Sequence, residues 1–207
     1  LSESDKIVVS NFESLFSNSN LNAAFAAGAQ DAYEAIQRNY LNHTIPGTTW
    51  VHFTNMGYWG EDYLDRAAIA EYIQLGNDNG TAAYYQTFQD REGRALNGQF
   101  RAYTLTFPAG RQPQVKRFWS LTAYLPGSIT LVPNPLAKYA VASYTPGLRT
   151  NRDGSVTIHI APSQPAGVNA ANWLPVPEGP FNLMLRAYGP QGTVLNNTYV
   201  PPPVMPT

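Results

Sequence analysis

The sequence predicts an α+β protein that is mainly β: an antiparallel β-sandwich of jelly-roll-like build behind an N-terminal helical segment. Three observations lead there. Apolar residues recur every three or four positions up to about residue 75, the period shortens to two from about residue 82, and from there on Gly, Pro and Asp interrupt the chain at short intervals. With 207 residues the chain is long enough for one large domain with a helical annex. The expected division is a helical lead-in or connector over 1–57 and a β-sandwich domain with a helical insertion over 58–207.

The first helix is expected to start at a Ser4 cap and to place Ile7, Val8, Phe12, Leu15 and Phe16 on one face, with 17–20 as a polar break. The second begins near Asn20 and carries Phe25, Ala29, Tyr33, Ile36 and Tyr40 at helical spacing. It stops before Pro46, since a proline pushes the residue ahead of it out of the helical region. The third runs from about 60 to 75 with Leu64, Ala68, Tyr72 and Leu75 on one side. Gly76 offers it a left-handed terminus, and Glu61, Asp62 and Asp65 crowd its first turns, where negative charge suits the helix dipole.

From about residue 82 the chain alternates. Ala83, Tyr85 and Thr87 share one face of a strand, 90–93 turns the chain, and Tyr103, Leu105 and Phe107 line the next strand until Pro108 breaks it. Further strands are expected at 118–124, 129–132, 139–143, 155–161, 181–188 and 193–200. Val156, Ile158 and Ile160 give the clearest half-buried pattern, and Pro201, Pro202 and Pro203 end the ladder because proline lacks the donor. The stretch 161–180 is too long for a hairpin and reads as an ordered cover with Trp173 and Leu174 as a packing plug.

Composition excludes several functions. A net charge of -1 with 13% charged residues leaves no broad basic surface for nucleic acid or anionic lipid. The absence of cysteine closes disulfide, thiolate and Cys-metal chemistry. No apolar run is long enough to span a bilayer, and no leader segment precedes Leu1, so a processed chain is expected. Sequons at Asn42, Asn79 and Asn196 are candidate glycosylation sites and, with the abundance of aromatic residues, favour a secreted, periplasmic or extracellular location.

No nucleophile elbow, zinc helix, phosphate loop or dinucleotide turn is present. His43, His52 and His159 are scattered, so neither a metal nor a cofactor is expected. The 77–80 stretch has a faint likeness to a calcium loop but reads better as a turn after a helix. His159 is either a general base or an ordinary strand residue, and Asp62 with Asp65 either an acid–base pair or dipole partners. Arg186 interrupts an apolar strand, and Arg66 follows stripe residue Leu64 by two. A guanidinium placed there needs a carboxylate, such as Asp62 or Asp65, or an anionic ligand. Trp119, Tyr124, Tyr139 and Trp173 are either a cleft for a sugar or small organic ligand or aromatic core.

Four strings, GEDYLDRA (60–67), FWSLTAY (118–124), VPNPLAKY (132–139) and NWLPVPEGPFNLMLRAYGP (172–190), occur in an order and spacing that strongly resembles a known family. It is the C-terminal half of the two-part family catalogued as domains of unknown function 1254 and 1214, and the resemblance covers roughly 58–203. It implies stacked antiparallel sheets with helical insertions and an N-terminal β domain, cleaved off or separately encoded, as partner. It brings no established catalytic residues. The chain departs from the pattern at Leu125, where the family usually has Asp, and at 161–164, where it often has Gln-His-Asp.

Two functions follow. The first is a binding or assembly module for a carbohydrate or small organic ligand, with Trp119, Tyr139, Asn172 and Trp173 as ligand residues and homo-oligomerisation as one form of assembly. The second is a hydrolase or lyase whose site is shared with the N-terminal domain, with Tyr63, Arg66, Tyr124, His159 and Arg186 as candidates for acid–base and anion-stabilising roles.

Overall fold

A computed structural model of the chain describes residues 2–16, 19–127 and 129–207, with side chains throughout except at 12, 14–16 and 19. Among these residues the chain is mixed α/β and mainly β, with four α-helices and two four-stranded sheets.

Helix α1 (Glu3–Phe16) opens on a reciprocal cap. Asp5 N–H donates to Ser2 Oγ at 3.2 Å and Ser2 N–H donates to the Asp5 carboxylate at 2.9 Å, so Ser2 rather than Ser4 is the cap. Ile7 and Val8 of its apolar face are 60% and 67% exposed. The side chains of Phe12, Leu15 and Phe16, and positions 17 and 18 of the expected break, lie outside the described residues. Along α2 (Ser19–Asn42) Phe25, Ala29 and Tyr33 are exposed, Ile36 is half-buried and Tyr40 is buried, so its C-terminal part joins the core. Helix α3 (Tyr63–Tyr72) buries Ala68 and Ile69. Its left-handed terminal residue is Gln74, at φ 64°, and not Gly76. Gly76 sits tightly for a different reason: a Cβ there would lie 2.6 Å from Met56 Sδ, so the buried Met56 side chain would have to move.

The first sheet runs β1 (Ala82–Thr87), β7 (Asn182–Pro190), β3 (Val115–Tyr124), β4 (Ala140–Ala142), and the second runs β6 (Trp173–Pro175), β5 (Val156–Ala161), β2 (Tyr103–Phe107), β8 (Val204–Pro206). Every pairing is antiparallel except β5 with β6, because the 162–172 connection doubles back and re-enters beside β5 in the same direction. Three strand expectations fail. Within 129–132 Leu131 makes only an isolated bridge to Tyr124. The 193–200 stretch holds a short helix, α4 (Gly192–Leu195), and a left-handed Asn197 at φ 59°, so Gly and Asn-Asn turn chemistry overrides the β-branched residues there. The triple proline does not end the sheet, since β8 follows it as an edge strand on β2.

The inner core joins the two sheets. Trp119, Leu121 and Ala123 of β3 and Leu183, Leu185 and Ala187 of β7 share one cluster with Leu105 and Phe107 of β2 and Val156, Ile158 and Ile160 of β5. A second cluster sits on the outer face of the first sheet, where Tyr40, Phe53, Met56, Ala68 and Ile69 cover Ala82, Tyr84 and Met184. Strand β1 is therefore buried on both faces, so the expected alternation of Ala83, Tyr85 and Thr87 with their neighbours separates two packed faces and not an inner from a solvent-facing one. The turn after β1 is fixed by Asp90, which is wholly buried. Its carboxylate accepts the N–H groups of Glu92 (2.9 Å) and Arg94 (3.1 Å) and the Arg94 Nε (3.0 Å), with Arg101 at 3.7 Å. Burial raises this carboxyl, but the Arg94 backbone and guanidinium, then the Glu92 N–H, outweigh it and hold it below the ordinary carboxylate value.

Candidate functional site

Strand β7 is central in its sheet, and its burial on both faces selects an apolar run, Leu183-Met184-Leu185, that Arg186 alone interrupts with charge. Alternation puts Leu185 and Ala187 into the inner core and Met184, Arg186 and Tyr188 on the outer face. Across the sheet Arg186 is paired with Tyr84 on one side and Ser120 on the other. On β3 the same alternation places Phe118, Ser120, Thr122 and Tyr124 outward, opposite Tyr188, Arg186, Met184 and Asn182.

Arg186 is half-buried, and its guanidinium lies 5.9 Å from the ring centroid of Tyr84 and 5.2 Å from that of Tyr124. Ring faces attract the cation but leave the in-plane N–H groups uncommitted. Among the described residues no carboxylate forms an ion pair with it and no protein acceptor takes its N–H groups. Beside it Ser120 and Thr122 are buried at 8% and 6% exposure, and no protein group hydrogen-bonds either hydroxyl. Arg186, Ser120 and Thr122 thus share the outer face at neighbouring register positions, with no hydrogen-bond partner in the protein among the described residues.

The walls of the patch are fixed. Tyr84 donates its hydroxyl to Asn77 Oδ1. Burial raises that phenol above the ordinary tyrosine value and Tyr188 adds to the rise, against the Asn77 backbone N–H that donates to its oxygen and the Arg186 charge. A polar chain ties α2 to the far end of the sheet: Tyr40 donates to Gln86, Gln86 Nε2 donates to Asn182 Oδ1 at 2.9 Å, and Asn182 Nδ2 approaches the carbonyls of Tyr124 (3.5 Å) and Leu125 (3.4 Å). Neither Gln86 nor Asn182 stands out in the sequence. The period-2 reading of FWSLTAY does contain the signal for Ser120 and Thr122, a polar pair between two rings on one face.

The other predicted residues go elsewhere. Of Tyr63, Arg66, Tyr124, His159 and Arg186, only Tyr124 and Arg186 meet. Tyr63 and Arg66 are exposed on α3, and His159 lies on the outward side of the second sheet, where burial lowers its pKa. The expected ion partner Asp65 is taken. It accepts Asn39 Nδ2 (2.6 Å) and Asn55 Nδ2 (2.6 Å) and meets His43 Nε2 at 3.0 Å, which ties α2 to α3. Burial raises its carboxyl, but Asn39, Asn55 and His43 together hold it below the ordinary value.

The aromatic cleft does not form. Trp119 is 2% exposed in the inner core with its indole N–H on Gln112, and Trp173 is buried with its indole N–H on the Ala161 carbonyl at 2.8 Å. Asn172 clamps backbone, accepting from Arg149 N at 2.8 Å and donating to the carbonyls of Arg149 and Thr157. Tyr139 is exposed and shares no ring contact with the other three among the described residues. No group of three or more His, Asp or Glu is gathered among the described residues. A cleft of about 550 Å³ opens between the 47–50 turn, Arg91 and Glu92, and Pro201, and none of the predicted site residues lines it.

Comparison with known proteins places the fold. The crystal structure of the VPA0106 protein from Vibrio parahaemolyticus aligns with a TM-score of 0.61 and 23% identity over 90% of this chain and 44% of that one. A crystal structure of an uncharacterized protein from Burkholderia cenocepacia aligns with a TM-score of 0.44 and 19% identity over 69% of this chain and 32% of that one. This chain therefore spans less than half the length of either protein. No curated protein matches it. The sequence profile of the proteins of unknown function DUF1214 matches residues 81–192, more than half of the 207 residues and the whole of the first sheet, and the chain belongs to the DUF1214 family.

Proposed function

We propose that the chain is a binding module for a small organic anion, held on the outer face of the first sheet with Arg186 as its charge partner. The observation that carries this reading is the half-buried guanidinium clasped by Tyr84 and Tyr124 with no carboxylate partner among the described residues. A cation removed from water without a counter-charge is costly, and a bound anion offsets that cost. Ser120 and Thr122 supply hydroxyls for the same anion. Titration calorimetry with butanoate tests it: the native chain binds saturably and Arg186→Met does not, whereas undiminished binding by that variant sinks the assignment.

The binding module reading is favoured over a hydrolase or lyase because His159, the candidate base, is on the other sheet from Arg186. The shared inner core supports reading the two sheets as a β-sandwich, with 1–57 as a lead-in to it. We also propose that the module acts outside the cytoplasm within a longer two-part protein whose companion is a β domain. The exposed Ile7, Val8 and Tyr33 of the helical hairpin favour assembly with that companion or with a second copy. Glycan would attach at Asn42 and Asn196, which are exposed; the Asn79 amide is turned inward, donating to the Phe53 carbonyl at 3.2 Å.

A further inference from the structure

The anion site has an aromatic extension. One row along the strands from the Arg186–Ser120 pair, a backbone spacing of about 7 Å, and on the side away from Tyr124, Tyr188 of β7 is paired with Phe118 of β3 on the same outer face. Their rings touch at 4.6 Å between centroids, and Tyr144, just beyond β4, meets Phe118 edge-on at 5.1 Å and 82°. Tyr144 is 66% exposed, and Phe118 and Tyr188 are only half-buried, so these rings are not inner core. Of the row on the other side of Arg186, Gln86 and Met184 are buried against α2 and α3, which leaves Thr122 of β3 as its polar end beside the guanidinium. A ligand held by its anionic end at Arg186 therefore extends one way, over the aromatic row.

Resting on the anion-binding reading above, we infer that the ligand is a carboxylic acid carrying a flat aromatic ring, with the carboxylate on Arg186, Ser120 and Thr122 and the ring on Phe118, Tyr188 and Tyr144. Charge recognition and ring stacking are separate contributions here. The guanidinium binds the acid whatever it is attached to, and the ring row discriminates between acids.

The test uses the native chain and two probes, butanoate and 4-phenylbutanoate, titrated calorimetrically. The native chain is expected to bind the phenyl acid at least tenfold more tightly than butanoate. Tyr144→Ala, at an exposed position that leaves the fold intact, brings that ratio close to one, as does Phe118→Leu. Tyr63→Ala, remote on α3, leaves the ratio unchanged, and Arg186→Met abolishes binding of both acids. Equal affinities for the two acids in the native chain, both lost in Arg186→Met, would overturn the aromatic extension and leave the anion site standing. Failure of the native chain to bind either acid overturns both.

Discussion

Asp90 and Arg186 are both charges withdrawn from water beside the same sheet, and the chain treats them in opposite ways. Asp90 is wholly buried and fully answered, by two backbone N–H groups and the Arg94 guanidinium, with Arg101 close by. Arg186 is half-buried and answered by two ring faces alone. A buried charge with a complete shell is part of the fold, whereas the partial shell of Arg186 is, on the proposal above, completed by a bound anion. The difference separates structure from function without any appeal to a motif.

Substitutions sharpen that contrast, beginning with the largest effect. Asp90→Ala strands two N–H groups and a guanidinium, and is expected to cost about 3 kcal/mol in urea unfolding. Arg186→Met removes a cation that has no protein counter-charge. Its stability is expected to stay level or rise by up to about 1 kcal/mol, while anion affinity falls at least about tenfold, or about 1.4 kcal/mol. A large loss of stability in Arg186→Met would erase the distinction between the two charges.

Acid affects the two regions differently. Asp90 and Asp65 are held below the ordinary carboxylate value in the fold, so their stabilisation is complete above the unfolded value of about 3.9 and is lost as pH falls through their lower folded values. His52, buried between the Tyr84 carbonyl and Asn197, is also depressed, chiefly by burial. Its penalty begins earlier, as pH drops below the unfolded value of about 6.5. Unfolding midpoints followed from pH 7 to pH 3 should decline in these two stages. Anion affinity at Arg186 should stay flat from about pH 6 to 9, because a carboxylate ligand stays ionised over that range. The smallest effect belongs to Arg66→Ala on exposed α3: stability within about 0.5 kcal/mol of the native chain and unchanged anion affinity, by the same two assays.

The contrast also shows what the sequence discloses. Most of β1 to β7 is legible because period-2 patterning and turn residues act locally, as at Val156, Ile158 and Ile160. The 193–200 stretch and β8 are misread because Gly192, Asn197 and the partner strand β2 decide them, and pairing to a distant strand leaves no local trace. Arg186 is legible as a charge in an apolar strand, and Tyr124 as an aromatic neighbour. Their meeting is not legible, and neither is the diversion of Asp65 to Asn39, Asn55 and His43, since both depend on which strand or helix lies opposite. Trp119 and Trp173 mislead for the converse reason: a tryptophan reads alike in a core and a cleft, and only the inner cluster and the Ala161 carbonyl assign them.

The most direct test of the central claim is calorimetric titration of the native chain and Arg186→Met with one small carboxylate, alongside urea unfolding of both. Saturable binding by the native chain, lost in a variant of equal or greater stability, is the predicted result. Equal binding by both proteins, or a variant that loses binding only because it no longer folds, contradicts the account.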